Sequence, residues 1–354
     1  VYRRGAAAPS GHLLESSPVD LGVEALPTDA YTSEAFLDLE VRRLWPRTWQ
    51  MAVREESIPM VGDHVIYEVG DLSLIVVRSA AEEIRAFHNS CPHRGTHLRP
   101  EGGRVERIRC PFHSFTWNLD GSLAHLPCAW VFPHVRAASF RLPEARVGRW
   151  GGFVFVNPDP DAILLEAHLE RVPEHFRSWP HEDRFQAAHV AKVVDCNWKV
   201  AIEAFVEVFH LMGLHPQSLP MVGDTNFQYD VWPDAKHTNR MINLSGVASP
   251  QLRGFSEQRV LEAAGEFGLC PPGLDLPEGE RARDVIERSM RGRLAEQLGV
   301  DVSKYSTTEI LDVIQYTVFH NLILFGGLGS PLAYRVRPYQ HDPNRCIFDV
   351  MKAA

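Results

Sequence analysis

Along the chain the spacing of apolar positions changes twice, and each change marks a different kind of element. In TSEAFLDLEVRRLW (residues 32–45), Phe36, Leu37, Val41 and Leu44 fall roughly on one helical face, with Thr32 or Ser33 placed to cap it. From about residue 57 the period shortens. HVIYEV, LSLIVVR and IRAFHNS are β-rich runs separated by Gly-Asp turns, the pattern of a small antiparallel module. GGFVFVNPDPDA reads as its last strand and exit turn, near residue 160. Beyond it, ILLEAHLERVPEHF and NWKVAIEAFVEVFHLMG read as helices and HVAKVV and YRVRPY as strands. Residues 251–312 are charged and helical in parts, as in RARDVIERSMRGRLAEQLG, and residues 1–30 read as a loose leader. The expectation is an α+β protein with an all-β module inserted in, or followed by, a larger α+β domain.

Composition narrows the function without naming it. With 354 residues, 45% hydrophobic and 23% charged, the chain has the make-up of a soluble globular protein. A net charge of −9 argues against nucleic-acid binding, which needs a basic face. No apolar run spans a bilayer and no signal-peptide core opens the chain, so neither membrane nor export is expected. Six cysteines are too few for a disulfide framework, which points to a reducing cytoplasm with special cysteines serving metal.

Two constellations carry chemistry. Residues 91–113 read C-x-H, sixteen residues, then C-x-x-H, so each arm offers one thiolate and one imidazole: Cys91 with His93, Cys110 with His113. Zinc fingers use a Cys pair followed by a His pair, whereas this alternation suits a [2Fe–2S] cluster with two Cys on one iron and two His on the other. A structural zinc site is the competing reading. Arg94, Arg99, Arg104, Arg107 and Arg109 lie between and beside the arms and would favour an acidic electron donor. The second constellation is E-x-x-H-x4-H: Glu207 and His210 are i,i+3 neighbours on a helix, and Gly213 and Pro216 loosen it so that His215 can swing back. Two histidines plus a carboxylate make the facial triad of non-haem Fe(II) oxygenases.

Together the constellations resemble the Rieske non-haem iron oxygenases, specifically the large (alpha) subunit of the terminal oxygenase. The likeness runs from about residue 31 onward and includes CPHRG, WGGFVFVN, NWK and the R-x-x-P stretch Arg335, Val336, Arg337, Pro338. It implies a leader and helix over 1–45, a Rieske domain over 46–160, and a helix-grip (START-like) catalytic domain with a curved antiparallel sheet over 161–354. By the same resemblance Cys91, His93, Cys110 and His113 hold the [2Fe–2S] cluster and His210 and His215 a mononuclear Fe(II). Glu207 bridges an iron-binding histidine to a cluster histidine, His113, of the neighbouring subunit, which implies a homotrimer or an alpha3beta3 assembly. Electrons from NAD(P)H arrive through a separate reductase, with or without a ferredoxin, since no nucleotide or flavin fingerprint is present. With O2 as co-substrate, a small aromatic or alicyclic molecule is hydroxylated. Oxidative attack on a quaternary amine of the carnitine or betaine type is the alternative, and an electron-transfer-only Rieske protein a more distant one.

Some positions depart from the family pattern. CPFHSF stands where CPYHGW is usual, so Ser114 and Phe115 replace Gly and Trp, with Trp117 placed to fill the aromatic role. Ala204 replaces an Asn, and Glu207 an Asp common among ring-hydroxylating members. The third, carboxylate ligand of the iron is expected beyond Ala354; Asp349, in a strand, is a poor candidate. Phe205, Val206, Phe209, Leu214 and His320 are the expected substrate-facing residues.

Overall fold

Alternating runs between Gly-Asp turns become an antiparallel sheet because strand side chains have period two. In the computed structural model, which describes residues 7–17 and 19–354, this sheet has seven strands. They are β1 (Gln50–Arg54), β2 (Asp63–Val69), β3 (Leu72–Ala80), β4 (Glu83–His88), β5 (Gly103–Arg104), β9 (Glu144–Trp150) and β10 (Phe153–Asn157), ordered β1-β10-β9-β4-β3-β2-β5. A three-stranded sheet, β6 (Ile108–Arg109), β7 (Thr116–Trp117) and β8 (Leu123–His125), carries the second Cys-His arm. β3 is buried on both faces. Leu74 and Val76 face a core shared with the rest of the chain, while Ile75 and Val77 face a smaller core that contains Cys91, Cys110, Phe115 and Trp117.

The second seven-stranded sheet comprises β11 (Gln186–Val194), β12 (Val222–Asp230), β13 (Thr238–Ser245), β14 (Val313–Val318), β15 (Leu322–Gly326), β16 (Leu332–Tyr339) and β17 (Asp342–Ala353), ordered β11-β17-β16-β15-β14-β13-β12. Along β15, Leu322 and Leu324 enter the core under the helices, and Ile323 and Phe325 enter the core shared with the first sheet. The helices are α1 (Asp29–Thr32), α2 (Glu34–Arg43), α3 (Leu165–Leu169), α4 (Val172–His175), α5 (Trp198–Glu203), α6 (Leu211–Leu214), α7 (Glu257–Glu266), α8 (Ala282–Leu298) and α9 (Thr307–Leu311). α5 packs across β16 and β17 on the shared-core side. The architecture is α+β with antiparallel sheets, and no helix among the described residues is long and apolar enough to cross a membrane.

Arg335 of the R-x-x-P stretch ties the two sheets. Its guanidinium pairs with Asp349 at 3.0 Å and donates to the carbonyls of Met51 and Ala52 on β1. Burial alone would raise the Asp349 carboxyl, but the hydrogen bond from His189 and the Arg335 and Arg337 guanidiniums hold it well below the usual carboxylate range. A depressed carboxyl contributes stability that is complete above about pH 4 and is lost as pH falls through its folded-state value. Asp349→Ala leaves a buried guanidinium unpaired, so urea unfolding at neutral pH should show a loss of about 3–5 kcal/mol.

Four local expectations are corrected. The helix expected over 197–213 ends at Glu203, and residues 204–210 are irregular before the single turn of α6. The cause is Glu207, whose carboxylate takes the backbone N–H groups of Phe209 and His210 and so competes with helical bonding. The helix expected over 163–176 breaks at Glu170, which has φ +50 and spends its carboxylate on the N–H groups of Lys236, His237 and Thr238. On α2, capped by Ser33, Leu37 and Val41 are buried but Phe36 is exposed. Finally, the leader is docked over residues 10–17: Leu13 is fully buried, and Arg240, paired with Asp230, donates to the carbonyls of His12 and Glu15. Residues 1–6 and 18 of the leader lie outside the described residues.

Candidate metal centres

The two Cys-His arms fold into matching loops. In the first, Cys91 N–H donates to Thr96 O and Gly95 N–H to Cys91 O; in the second, Cys110 N–H donates to Phe115 O and Ser114 N–H to Cys110 O. The matching turn positions, Gly95 and Ser114, have φ +72 and +62. Position 114 therefore favours glycine for a backbone reason. Ser114 is held there by Arg109, which donates to its hydroxyl at 2.8 Å, and by Thr116, which donates to its carbonyl at 3.0 Å. Phe115 takes the aromatic role itself, lying buried and stacked on His93 at 4.8 Å, with Trp117 behind it.

The loops bring like donors together. The His93 and His113 rings lie 4.8 Å apart, and Nδ1 of each is buried without a hydrogen-bond partner. Cys91 and Cys110 are almost wholly buried; burial raises the Cys91 thiol, and Cys110 beside it adds to the effect. Burial, then His113 and Arg94, lowers His93 and favours the neutral imidazole that binds metal. Among the described residues no three His, Cys, Asp or Glu side chains surround one ion position. Thiol beside thiol and orphaned nitrogen beside orphaned nitrogen fit a two-iron centre with one pair on each iron.

The NWK motif sets up the second centre. Asn197 caps α5 by accepting from Lys199 N–H, and its amide donates at 2.8 Å to both Tyr31 O and Pro343 O. Trp198 Nε1 and Lys199 Nζ both donate to Glu40 on α2, at 3.0 and 2.7 Å. At the other end of α5, Gln315 on β14 donates to Phe205 O. The segment is thus pinned on both sides before it loosens, and Gln315, Glu40 and Tyr31 were not legible as contributors.

Within the loosened segment Glu207 Oε1 accepts from His210 Nδ1 at 2.5 Å. That bond places the proton on Nδ1 and leaves the Nε2 lone pair for a metal. The His215 ring lies 5.5 Å from that of His210, at 78°. The structure thus brings Glu207, His210 and His215 together. The Asp349 carboxylate is spent on Arg335 and His189. Phe205 and Val206 pack into the shared core, Phe205 against Tyr334 and Phe348, while Phe209 and Leu214 are exposed. Phe209 meets Phe227, which meets Tyr229. His320 stands apart from this group: it is buried in the β14–β15 turn against Trp45 and Trp198, with both ring nitrogens unpartnered.

Residues 48–136 match the model of the Rieske [2Fe–2S] domain, and residues 173–352 that of the ring hydroxylating alpha subunit (catalytic domain). The glycine betaine monooxygenase oxygenase subunit of Chromohalobacter salexigens is 30% identical over 277 residues, covering 78% of this chain and 60% of that one. The biphenyl 2,3-dioxygenase subunit alpha of Rhodococcus jostii is 31% identical over 199 residues, covering 54% and 43%. Among solved structures, the quaternary ammonium Rieske monooxygenase CntA in complex with L-carnitine superposes with a TM-score of 0.64 at 18% identity, covering 94% of this chain and 79% of that one. Naphthalene 1,2-dioxygenase with indole bound gives 0.63 at 21%, covering 92% and 70%. The chain spans about 60% of the length of the betaine relative. It belongs to the ring-hydroxylating oxygenase alpha-subunit family. In that family the Rieske domain implies a [2Fe–2S] cluster and the catalytic domain a mononuclear iron.

Proposed function

We propose that this protein is the terminal oxygenase component of a Rieske system, hydroxylating an aromatic or alicyclic substrate with O2 at an iron held by His210 and His215. The observation that carries this is Glu207 gripping His210 Nδ1, with His215 beside it, in a chain that also pairs two buried thiols with two orphaned imidazole nitrogens. Cys91, Cys110, His93 and His113 would hold the cluster, and His210 and His215 the iron. When bound, the two groups supply one-electron storage and O2 activation. The chain's own task is positional. Glu207 fixes the tautomer and aim of His210, α5 and Gln315 fix Glu207, and Phe205 and Val206 keep the inner side apolar.

Partners follow from surface chemistry. Residues 91–141 carry seven Arg and three Asp or Glu, a net of +4 within a chain of −9. Arg94, Arg107 and Arg136 are exposed and have no carboxylate partner among the described residues. This surface suits an acidic electron carrier, either a reductase or its ferredoxin, working in the reducing cytoplasm. Charge reversal at Arg107 and Arg136 should slow reduction of the protein by an acidic [2Fe–2S] ferredoxin about tenfold at low salt, with little difference at high salt. Stopped-flow mixing checks this, and dithionite should reduce the variant at the normal rate. The exposed apolar side chains beside the cluster, Phe112, Trp130 and Val131, and those beside the iron histidines, Phe209, Met212 and Leu214, suit a head-to-tail ring such as a homotrimer or alpha3beta3 assembly. In such a ring one copy's His113 faces its neighbour's Glu207.

A second reading, attack on a quaternary amine, is favoured by the 30% identity to the betaine oxygenase subunit. Reductase-driven oxygen uptake separates the two. Stimulation by biphenyl or an alicyclic analogue supports the first, and stimulation only by glycine betaine or carnitine transfers the assignment to the second.

A further inference from the structure

Two cysteines outside both metal centres stand together. Cys196 and Cys346 are 150 residues apart in sequence, yet their Sγ atoms are 3.9 Å apart. Cys346 is fully buried on β17, held in register opposite Val194 of β11 and Pro338 of β16. Cys196 lies two residues beyond Val194, past the end of β11 and directly before Asn197, the cap of α5. Both side chains enter the same apolar core, Cys346 wholly and Cys196 in part.

We propose that Cys196 and Cys346 form a peroxide-responsive disulfide that fastens the start of α5 to β17. A disulfide needs its sulfurs at about 2.0 Å, so the pair must close by roughly 2 Å. Cys196, outside the strand ladder, is the side that moves. The order of events follows from access. Burial, with Cys196 beside it, pushes the Cys346 thiol up to about 12, so Cys346 is seldom a thiolate. The partly exposed Cys196 meets hydrogen peroxide first. Its sulfur takes one peroxide oxygen as the O–O bond breaks, giving a sulfenic acid and water. The Cys346 sulfur then displaces the sulfenic hydroxyl, which leaves with the Cys346 proton as a second water. Two thiols are oxidised and one peroxide is reduced to two waters. The chemistry does not depend on the oxygenase assignment.

Peptide mapping of the intact protein tests the inference. After brief exposure to a few equivalents of hydrogen peroxide, remaining thiols are alkylated and the digest is analysed by mass spectrometry without reduction. The expected result is a Cys196–Cys346 linked peptide and the joint loss of both residues from the alkylated pool, reversed by a thiol reductant. Cys196→Ser should abolish the linked peptide and Cys128→Ser should retain it. Alkylated or sulfinic Cys196 with no linked peptide, in protein that remains folded, overturns the proposal, and that result needs no variant.

Discussion

Glu207→Gln should leave iron and acid-labile sulfide contents unchanged while turnover falls by about 10- to 100-fold, the usual loss when the partner of a metal-binding histidine is replaced. The wild-type carboxylate accepts from three groups, the N–H of Phe209, the N–H of His210 and Nδ1–H of His210. A glutamine oxygen can keep the bond to Nδ1 and so preserve the tautomer that offers Nε2 to iron. It cannot also serve both backbone donors, and the anionic charge is gone. The side chain is 33% exposed, so the charge is accessible to a neighbouring subunit as well as to His210. Metal analysis alongside steady-state rates checks the expectation. Full activity in the variant would reduce Glu207 to a cap for an irregular turn.

Cys110→Ser should abolish acid-labile sulfide and reductase-driven activity together. Serine matches the cavity but its hydroxyl does not ionise near neutral pH, so one cluster donor is lost. The loss also reaches the fold, because Cys110 is packed with Ile75, Phe115 and Trp117 in the small core behind β3. His210 and His215 flank α6, outside this small core, so iron held through them should persist. The exposed Cys128 is the control, and its replacement by serine should change neither sulfide nor activity. Sulfide retained in Cys110→Ser would remove Cys110 from the ligand set.

How much of this was legible in the sequence depends on how local each interaction is. The paired arms were legible because each donor pair sits in one loop, three or four residues long, and alternation shows directly in the spacing. The β runs between Gly-Asp turns were legible for the same reason. The continuous helix over 197–213 was not. Its apolar period is helical, but Glu207 bonds its own following backbone, a local competition that periodicity does not record. The work of NWK was equally hidden, since Glu40 and Tyr31 lie more than 150 residues away in sequence. Docking of the leader turned on Arg240, a residue with no motif around it. His320 was expected to face substrate from its place in a strand-rich stretch, but its turn tucks it between two tryptophans.

The most direct test of the two-centre account is iron, zinc and acid-labile sulfide per chain in anaerobically purified protein. About three irons and two sulfides are expected, two irons and both sulfides from the cluster and one iron from the histidine site. Zinc with no sulfide would contradict the assignment of Cys91, His93, Cys110 and His113, and with it the redox function.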